Sequence, residues 1–195
     1  MSALPQSTRV TEAEYLAYER DSEAKHELID GEIFAMTGAS ESHNLISVNA
    51  ITAIKIQIKG KPCKLYPSDM RVKIVPWRMY TYPDLSLVCG EPQFADHEFD
   101  TLLNPVLLIE VLSPSTERYD RGRKFQAYRS IPSLKEYLLI AQDEPRIERY
   151  FRLEDDLWEF TDVQGMDAKI ALKSVDAVLK LSDIYEQVTF TDEPE

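Results

Sequence analysis

The sequence is poor in the features that mark exported, membrane-bound or cross-linked proteins. It has two cysteines in 195 residues, Cys63 and Cys89. Two cysteines far apart in sequence cannot staple a small secreted scaffold and do not form a metal-ligand cluster. Reduced thiols in a cytoplasmic protein are therefore expected. No apolar run approaches the ~20 residues of a membrane-spanning helix. Met1 to Arg9 has no apolar signal core, so neither a membrane anchor nor export is expected. Repeats and low-complexity segments are absent, and no helix-turn-helix or zinc-finger pattern offers to read bases. Positive charge is scarce: 22 Lys+Arg stand against 34 Asp+Glu, a net charge of −12. That balance argues against nonspecific polyanion binding over the whole surface.

The composition is otherwise that of an ordinary globular protein, 44% hydrophobic and 29% charged. It holds enough apolar surface to offset the entropy of ordering the chain, which excludes a wholly disordered protein. The length suits one domain spanning 1–195, with a core over roughly 24–160 and an acidic C-terminal extension. The charge is uneven. Residues 43–90 carry seven positive and two negative side chains, and residues 117–135 carry six and two, inside an otherwise acidic chain. A charged ligand responds to such local fields more than to the total. The plain alternative is that acidic termini are solubilising.

Element signals alternate between helix and strand. Thr11 followed by Glu14 has capping-box spacing for a short helix, with Tyr15 and Tyr18 on one face. His26 to Ile33 reads as a strand turning at Asp30-Gly31 into a partner over Ile33 to Met36. The apolar pattern from Ser42 to Lys59 predicts a buried helix. Cys63 to Val75 and Asp84 to Cys89 read as strands. Val106 to Leu112 is nearly continuous apolar sequence, as in a central strand buried on both faces. Asp120 to Arg129 predicts a helix, Tyr137 to Ala141 a strand, and Ile147 to Phe151 with Leu157 to Thr161 a hairpin. Val175 to Ile184 fits strand or helix, and Asp192 to Glu195 reads as a frayed tail. The order implies an α/β or α+β domain with a mixed sheet flanked by helices.

Glu110 interrupts the most apolar strand of the protein. A buried carboxylate is costly unless it is paired or binds metal. Asp84 follows Pro83 at the start of the preceding strand. Neighbouring strand ends that brought the two together would make an oxygen-rich site suited to Mg²⁺, which keeps several waters and takes phosphate oxygens. Glu27 offers a third acid. Lys124, on the basic helix, offers a cation to balance them and position a water. Each has a plainer reading: Asp84 as a turn residue, Lys124 as a solvated helix residue. His43 reads as a phosphate contact or as a partner to a ligand; alternatively it is an ordinary surface or core histidine. Asp69 and Arg71 would flank the site or form a simple ion pair, and Gln142 follows the last core strand. Trp77, Trp158 and the ten tyrosines are packing by default.

Pro83-Asp84 followed by Glu110 on the next apolar strand resembles the PD-(D/E)XK nuclease superfamily. The strings Glu27–Ile33, Met36–Ser40, Ser68–Val72, Tyr82–Ser86, Pro105–Thr116 and Asp120–Arg129 are similar to its Uma branch of restriction endonucleases. The resemblance covers roughly residues 12 to 160, and Pro105–Thr116 is its most specific string. It implies a restriction-endonuclease-like core of helix, three strands, helix and strand, and a metal-dependent nuclease site. The superfamily pattern places a Lys two residues after the Glu, and Leu112 stands there. In this branch the Lys migrates to the following helix, which matches Lys124.

The resemblance implies a DNA phosphodiesterase dependent on Mg²⁺ or Mn²⁺. Asp84 and Glu110 would be the metal ligands, and Asp84, Glu110, Lys124 and Glu27 the catalytic set. Lys55, Lys59, Lys61, Lys64, Arg118, Arg121 and Arg123 are candidate backbone contacts. Clustered acids would raise at least one carboxyl pKa by mutual repulsion. Tyr150, Phe151, Trp158 and Phe160 suggest a homodimer, or simply cap the core. Lys124 could instead form an exposed i,i+4 pair with Asp120, in which case its loss would barely change stability. The competing reading is a noncatalytic nucleic-acid-binding or assembly protein on a nuclease-like scaffold, favoured by the net charge and by Leu112. A metal hydrolase acting on another phosphorylated substrate is a third.

Overall fold

The computed structural model describes residues 9–190. The tail expected at Asp192–Glu195 lies outside the described residues, as does Met1 to Thr8 of the segment examined for a signal. Helix α1 (Glu12–Asp21) begins with the expected capping box: the Thr11 hydroxyl accepts from the Glu14 N–H, and the Glu14 carboxylate accepts from the Thr11 N–H. Tyr15 is buried and donates to the His26 carbonyl, whereas Tyr18 is half exposed. Strands β1 (His26–Ile29) and β2 (Glu32–Ala35) form the expected hairpin. Asp30 and Gly31 both have positive φ, 53° and 81°, as the tightest hairpin turn requires.

Helix α2 (Glu41–Gln57) starts at the N-cap Ser40, which accepts from the His43 N–H. The apolar pattern predicts a buried helix, and the i,i+4 stripe Ile46, Ala50 and Ile54 is fully buried, while Val48 and Ile56 face solvent. The strand expected over Cys63 to Val75 is two strands in different sheets, β3 (Cys63–Pro67) and β4 (Arg71–Ile74). A turn breaks it: the Met70 N–H donates to the Pro67 carbonyl across Ser68-Asp69, residue types that favour such bends. Strand β5 (Met79–Thr81) escapes sequence reading because three residues show no period. Strand β6 (Leu85–Cys89) was expected; β7 (Thr101–Leu102) was not.

The expected central strand is β8 (Leu107–Val111), with all five residues buried. The helix expected over Asp120 to Arg129 is a continuous run of α3 (Glu117–Tyr119), a π-helical turn (Asp120–Lys124) and α4 (Phe125–Tyr128). After it come β9 (Glu136–Ile140), the hairpin β10 (Arg146–Arg152) and β11 (Trp158–Gln164), and the hairpin β12 (Lys169–Leu172) and β13 (Ala177–Lys180), with α5 (Leu181–Ile184) last. The ambiguous stretch Val175 to Ile184 is thus part strand and part helix.

Six strands form one sheet in the order β11-β10-β9-β8-β6-β3, antiparallel except for β8 with β9. Five form a second, β2-β1-β5-β4-β7. The architecture is mixed α+β, as expected. Alternation along β8 divides its side chains between two cores. Leu107, Ile109 and Val111 pack with the α2 stripe, β12, β13 and α5. Leu108 and Leu112 pack with α4 and with Val72, Ile74 and Met79 of the second sheet. The first core includes Ile170, Leu172, Leu179, Leu181 and Ile184, so it extends past the expected limit near 160.

The expectation of separate thiols is overturned. Antiparallel pairing sets Cys63 opposite Cys89 on β3 and β6, and the two form a disulfide. Sequence separation hid a contact that strand register creates. No helix among the described residues is long and apolar enough to cross a membrane.

Arg20 of α1 binds Asp96 and Asp100, and Asp100 also binds Arg71 of β4, which ties α1 to the second sheet. Burial works to raise the Asp100 pKa, but hydrogen bonds from Arg20, Thr101 and Arg71 overcome it and hold the carboxyl well below its usual range. A depressed carboxyl stabilises the fold above the unfolded-state pKa, about 3.9, and that contribution is lost as the pH falls below it. Asp100→Asn is expected to cost about 1–3 kcal/mol at pH 7. Thermal melts should show the gap from wild type closing as the pH is lowered toward 2.

Candidate active site

Glu110 lies between Leu108 and Leu112 on the β8 face that meets the second core, where its carboxylate enters an otherwise apolar layer. Asp84 immediately precedes Leu85, the partner of Ile109, so the antiparallel register sets it beside Glu110. Its Oδ2 accepts from the Val111 N–H at 2.7 Å and its Oδ1 lies 3.2 Å from His43 Nε2. The α2 N-cap places His43 at the open end of the sheet. Glu27 on β1 comes from the second sheet; its Oε1 accepts from the Tyr82 N–H at 3.2 Å.

Lys124 closes the set. Its ammonium is 3.0 Å from Glu110 Oε1, 3.3 Å from Glu27 Oε1 and 3.5 Å from Asp120 Oδ1. Only 5% of the residue is exposed. The alternative of an exposed surface pair with Asp120 gives way to a buried cluster that includes Asp120, because the helix packs directly over the β8 face that bears Glu110. Tyr128 adds a further partner: its hydroxyl donates to Glu110 Oε1 at 2.8 Å and contacts Thr81 Oγ1 at 3.0 Å. No hydrogen bond among the described residues uses Glu110 Oε2.

The π-helical turn aligns these groups. In an α-helix four residues overshoot a full turn by about 40°. A π turn, bonded i→i+5, makes four residues fall short by roughly 30°. Asp120 to Lys124 spans the π turn and Lys124 to Tyr128 an α turn, so the two offsets nearly cancel. Three polar side chains, all buried, thus stack in one line on the helix.

Burial pushes the Glu110 pKa well up; Lys124 opposes this, and Asp120, Asp84 and Glu27 add to it. Asp120 is raised too, chiefly by burial. Raised carboxyls were expected, but desolvation outweighs the mutual repulsion. Burial alone would lower the Lys124 pKa, yet the surrounding carboxylates, Glu110 first, hold it well above its ordinary value and keep the ammonium charged. Burial likewise works to lower His43, and Asp84 raises it overall.

A cavity of about 710 Å³ is lined by Glu27, His43, Asp84, Glu110, Asp120 and Lys124, with Gln142 at its edge. Gln142 accepts from the Ser40 hydroxyl at 2.8 Å. Neither Asp69 nor Arg71 lines the cavity: Asp69 pairs with Lys25, which does, and Arg71 is buried against Asp100. Arg118 and Arg123 are exposed on the helix beside the site, but Arg121 is held by Glu117 and Glu148. Lys55 stands toward the far end of α2, and Lys59 and Lys61 lie just beyond it, Lys61 donating to the Val175 and Asp176 carbonyls. At 1.5 Å per residue, Lys55 is about 18 Å along the helix from His43. Of the aromatics considered for self-association, Tyr150 and Trp158 pack on Phe125 within the monomer; Phe160 is exposed.

No group of three or more His, Cys, Asp and Glu among the described residues is arranged to hold a metal ion. Lys124, Tyr128 and His43 are interleaved with the acids. Two adjacent carboxylates nevertheless fit Mg²⁺, which commonly takes one or two from the protein and fills its shell with water and phosphate oxygens. The excess of acids fits as well: four carboxyl groups line the cavity against two ammoniums, Lys25 and Lys124, and one imidazole, and Lys25 is paired outside that set with Asp69.

Residues 12–182 match the family model Uma2, described as "Putative restriction endonuclease". Two uncharacterised proteins of Synechocystis sp. are similar. One, slr1290, is 37% identical over 93% of this chain and 94% of its own length; the other, sll1609, is 39% identical over 83% and 91%. A crystal structure from Anabaena variabilis, described as "a putative nuclease belonging to DUF820", superposes with a TM-score of 0.74 at 18% identity. It covers 92% of this chain and 99% of its own, a likeness of fold.

Removing one partner of a buried charge cluster leaves the others uncompensated. Lys124→Ala is expected to cost on the order of 3–5 kcal/mol, against about 1–3 kcal/mol for Tyr128→Phe, which strips one hydrogen bond from Glu110. Denaturant unfolding of both variants at pH 7 measures this, and a wild-type midpoint for Lys124→Ala would contradict the buried arrangement.

Proposed function

The chain belongs to the Uma2 family of restriction-endonuclease-like proteins, and we propose that it is a metal-dependent endonuclease that hydrolyses phosphodiester bonds in DNA. The observation that carries this reading is the buried Lys124 ammonium, 3.0 Å from Glu110 and 3.3 Å from Glu27. Leu112, where the superfamily pattern has its lysine, packs in the second core. Lys124 offers the same charge from the helix laid over that strand.

In this reading Asp84 and Glu110 hold Mg²⁺ or Mn²⁺. His43 and the Val111 N–H orient Asp84, and Tyr128 and Lys124 fix Glu110 through Oε1, so these two carboxylates would be held in place for the ion. A divalent ion there supplies Lewis-acid polarisation of the phosphoryl oxygen and a bound water of lowered pKa. Lys124 orients the attacking water and offsets charge developing on the phosphate, in a site dry enough for that charge to count. Glu27, held by the Tyr82 N–H, is an auxiliary acid within reach of the same ammonium. Arg118 and Arg123 face solvent beside the cavity and contact flanking phosphates. Cutting both strands of a duplex needs two sites or two visits. A homodimer supplies two sites, and light scattering at micromolar concentration tests it.

The net charge of −12 favours a second reading, a noncatalytic nucleic-acid-binding or assembly protein on the same scaffold. One experiment separates them. Purified protein is incubated with plasmid, linear duplex and single-stranded DNA in millimolar Mg²⁺ or Mn²⁺, beside Asp84→Asn and Glu110→Gln. The nuclease reading expects cleavage by wild type and a loss on the order of 10²-fold or more in each variant. It also expects either ion to raise the wild-type melting temperature, since an ion bound only by the folded state stabilises it. No cleavage and no metal-dependent rise would leave the scaffold reading.

A further inference from the structure

The β1–β2 hairpin turns an apolar edge toward the cavity. Phe34 stands directly opposite Glu27, and the ladder continues with the Met36 N–H donating to the Lys25 carbonyl. Opposed residues of an antiparallel pair share a sheet face, and residues two apart share it too. Phe34 and Met36 therefore lie on the same face as Glu27 and Lys25, and all four line the cavity. Phe34 is 47% exposed and Met36 37%. Ile33, on the other face, packs against Tyr15, Leu28 and Tyr80. The hairpin's core-facing requirement is met without Phe34 and Met36.

The cavity is thus divided chemically. Its floor holds Glu27, Glu110 and Lys124, and one wall is Phe34 and Met36. A nucleotide is divided in the same way, with a charged phosphate at one end and flat apolar base faces at the other. Directly opposed Cβ atoms lie roughly 4.5–5.5 Å apart, so a phosphate reaching the Glu27–Lys124 floor brings its base within reach of the Phe34 ring. Within a continuous duplex every base is paired and stacked on both faces and has no face to offer. The floor is also nearly closed to solvent, so the phosphodiester must descend past the wall to meet it.

We infer that Phe34 and Met36 form a stacking platform for an unpaired base, and that the preferred substrate is DNA with an unpaired nucleotide at the cleaved bond, such as a single strand, a flap or an overhang. The inference rests on the nuclease reading for the position of the phosphate. Aromatic platforms serve single strands in this way because every base has a π-face.

The test is fluorescence anisotropy without divalent ions, at one fixed salt concentration, with a labelled single-stranded oligonucleotide and a blunt duplex of the same sequence. Wild type is expected to bind the single strand at least about 10-fold more tightly, and Phe34→Ala to lose about 10-fold on the single strand alone. Phe34→Tyr, which keeps the ring, should retain the preference, and the melting temperature should not move because the side chain is half exposed. Equal or tighter duplex binding, no binding to either DNA, or no effect of Phe34→Ala overturns the platform. So does a change of mass by light scattering in Phe34→Ala, which would mean that a second copy covers the wall. Cleavage is scored separately with Mn²⁺. A chain that keeps the binding preference but cuts nothing loses the nuclease reading and keeps the platform.

Discussion

One ammonium surrounded by three carboxylates under a helix is the constraint on which the rest of this structure depends. Lys124 lies within 3.5 Å of Glu110, Glu27 and Asp120. Those groups come from the central strand, from a strand of the second sheet and from the helix itself. Burying an ion in this way gains little stability over an apolar replacement. It does fix position, because the charge can be compensated only where all three elements meet in one register. The cluster is a keystone between the two sheets, and the apolar layer around it excludes the water that would otherwise screen it.

The elements around the keystone bring its charged side chains together from both sheets and the helix. The parallel β8–β9 pair and the antiparallel β6–β8 pair hold Asp84 and Glu110 at neighbouring strand positions. α2 covers the opposite face and delivers His43 at its first turn. The π-helical turn corrects the helix phase so that Asp120, Lys124 and Tyr128 lie in line. Such turns cost hydrogen-bond geometry and are found disproportionately where function needs an offset. Here the offset brings Asp120 into line with Lys124 and Tyr128, the two side chains that engage one Glu110 oxygen. The π turn, the buried acids and the unbalanced charge are three departures from what stability alone would select, and all converge on one cavity. The β1–β2 hairpin gives that cavity a second character, because its strand alternation puts acid and apolar side chains on one face.

Local sequence carried the elements that local chemistry controls. The capping box at Thr11, the Asp30-Gly31 turn, the apolar β8 run and the carboxylate embedded in it all follow from residue type and spacing. The resemblance carried by Pro105–Thr116 and Tyr82–Ser86 supplied the family. Short strands such as β5 and β7 were invisible because their pairing lies in partners distant in sequence. The Pro67–Met70 turn divided an apparently single strand between two sheets.

What the sequence alone determined is the set of acids, the basic helix and the alternation that sends Glu110 to one face of β8. What only the tertiary structure decided is how those groups are used. Lys124 is a buried partner of Glu110, Glu27 and Asp120, not a solvated helix residue, because the helix lies on that face of the sheet. Cys63 and Cys89 are bonded because register opposes them. Tyr128 and Thr81 join the cluster through contacts across the fold, and Phe34 lines the same cavity. Periodicity can say which side of an element a residue occupies; it cannot say what packs there, and the charge state and role of a buried group depend on what packs there.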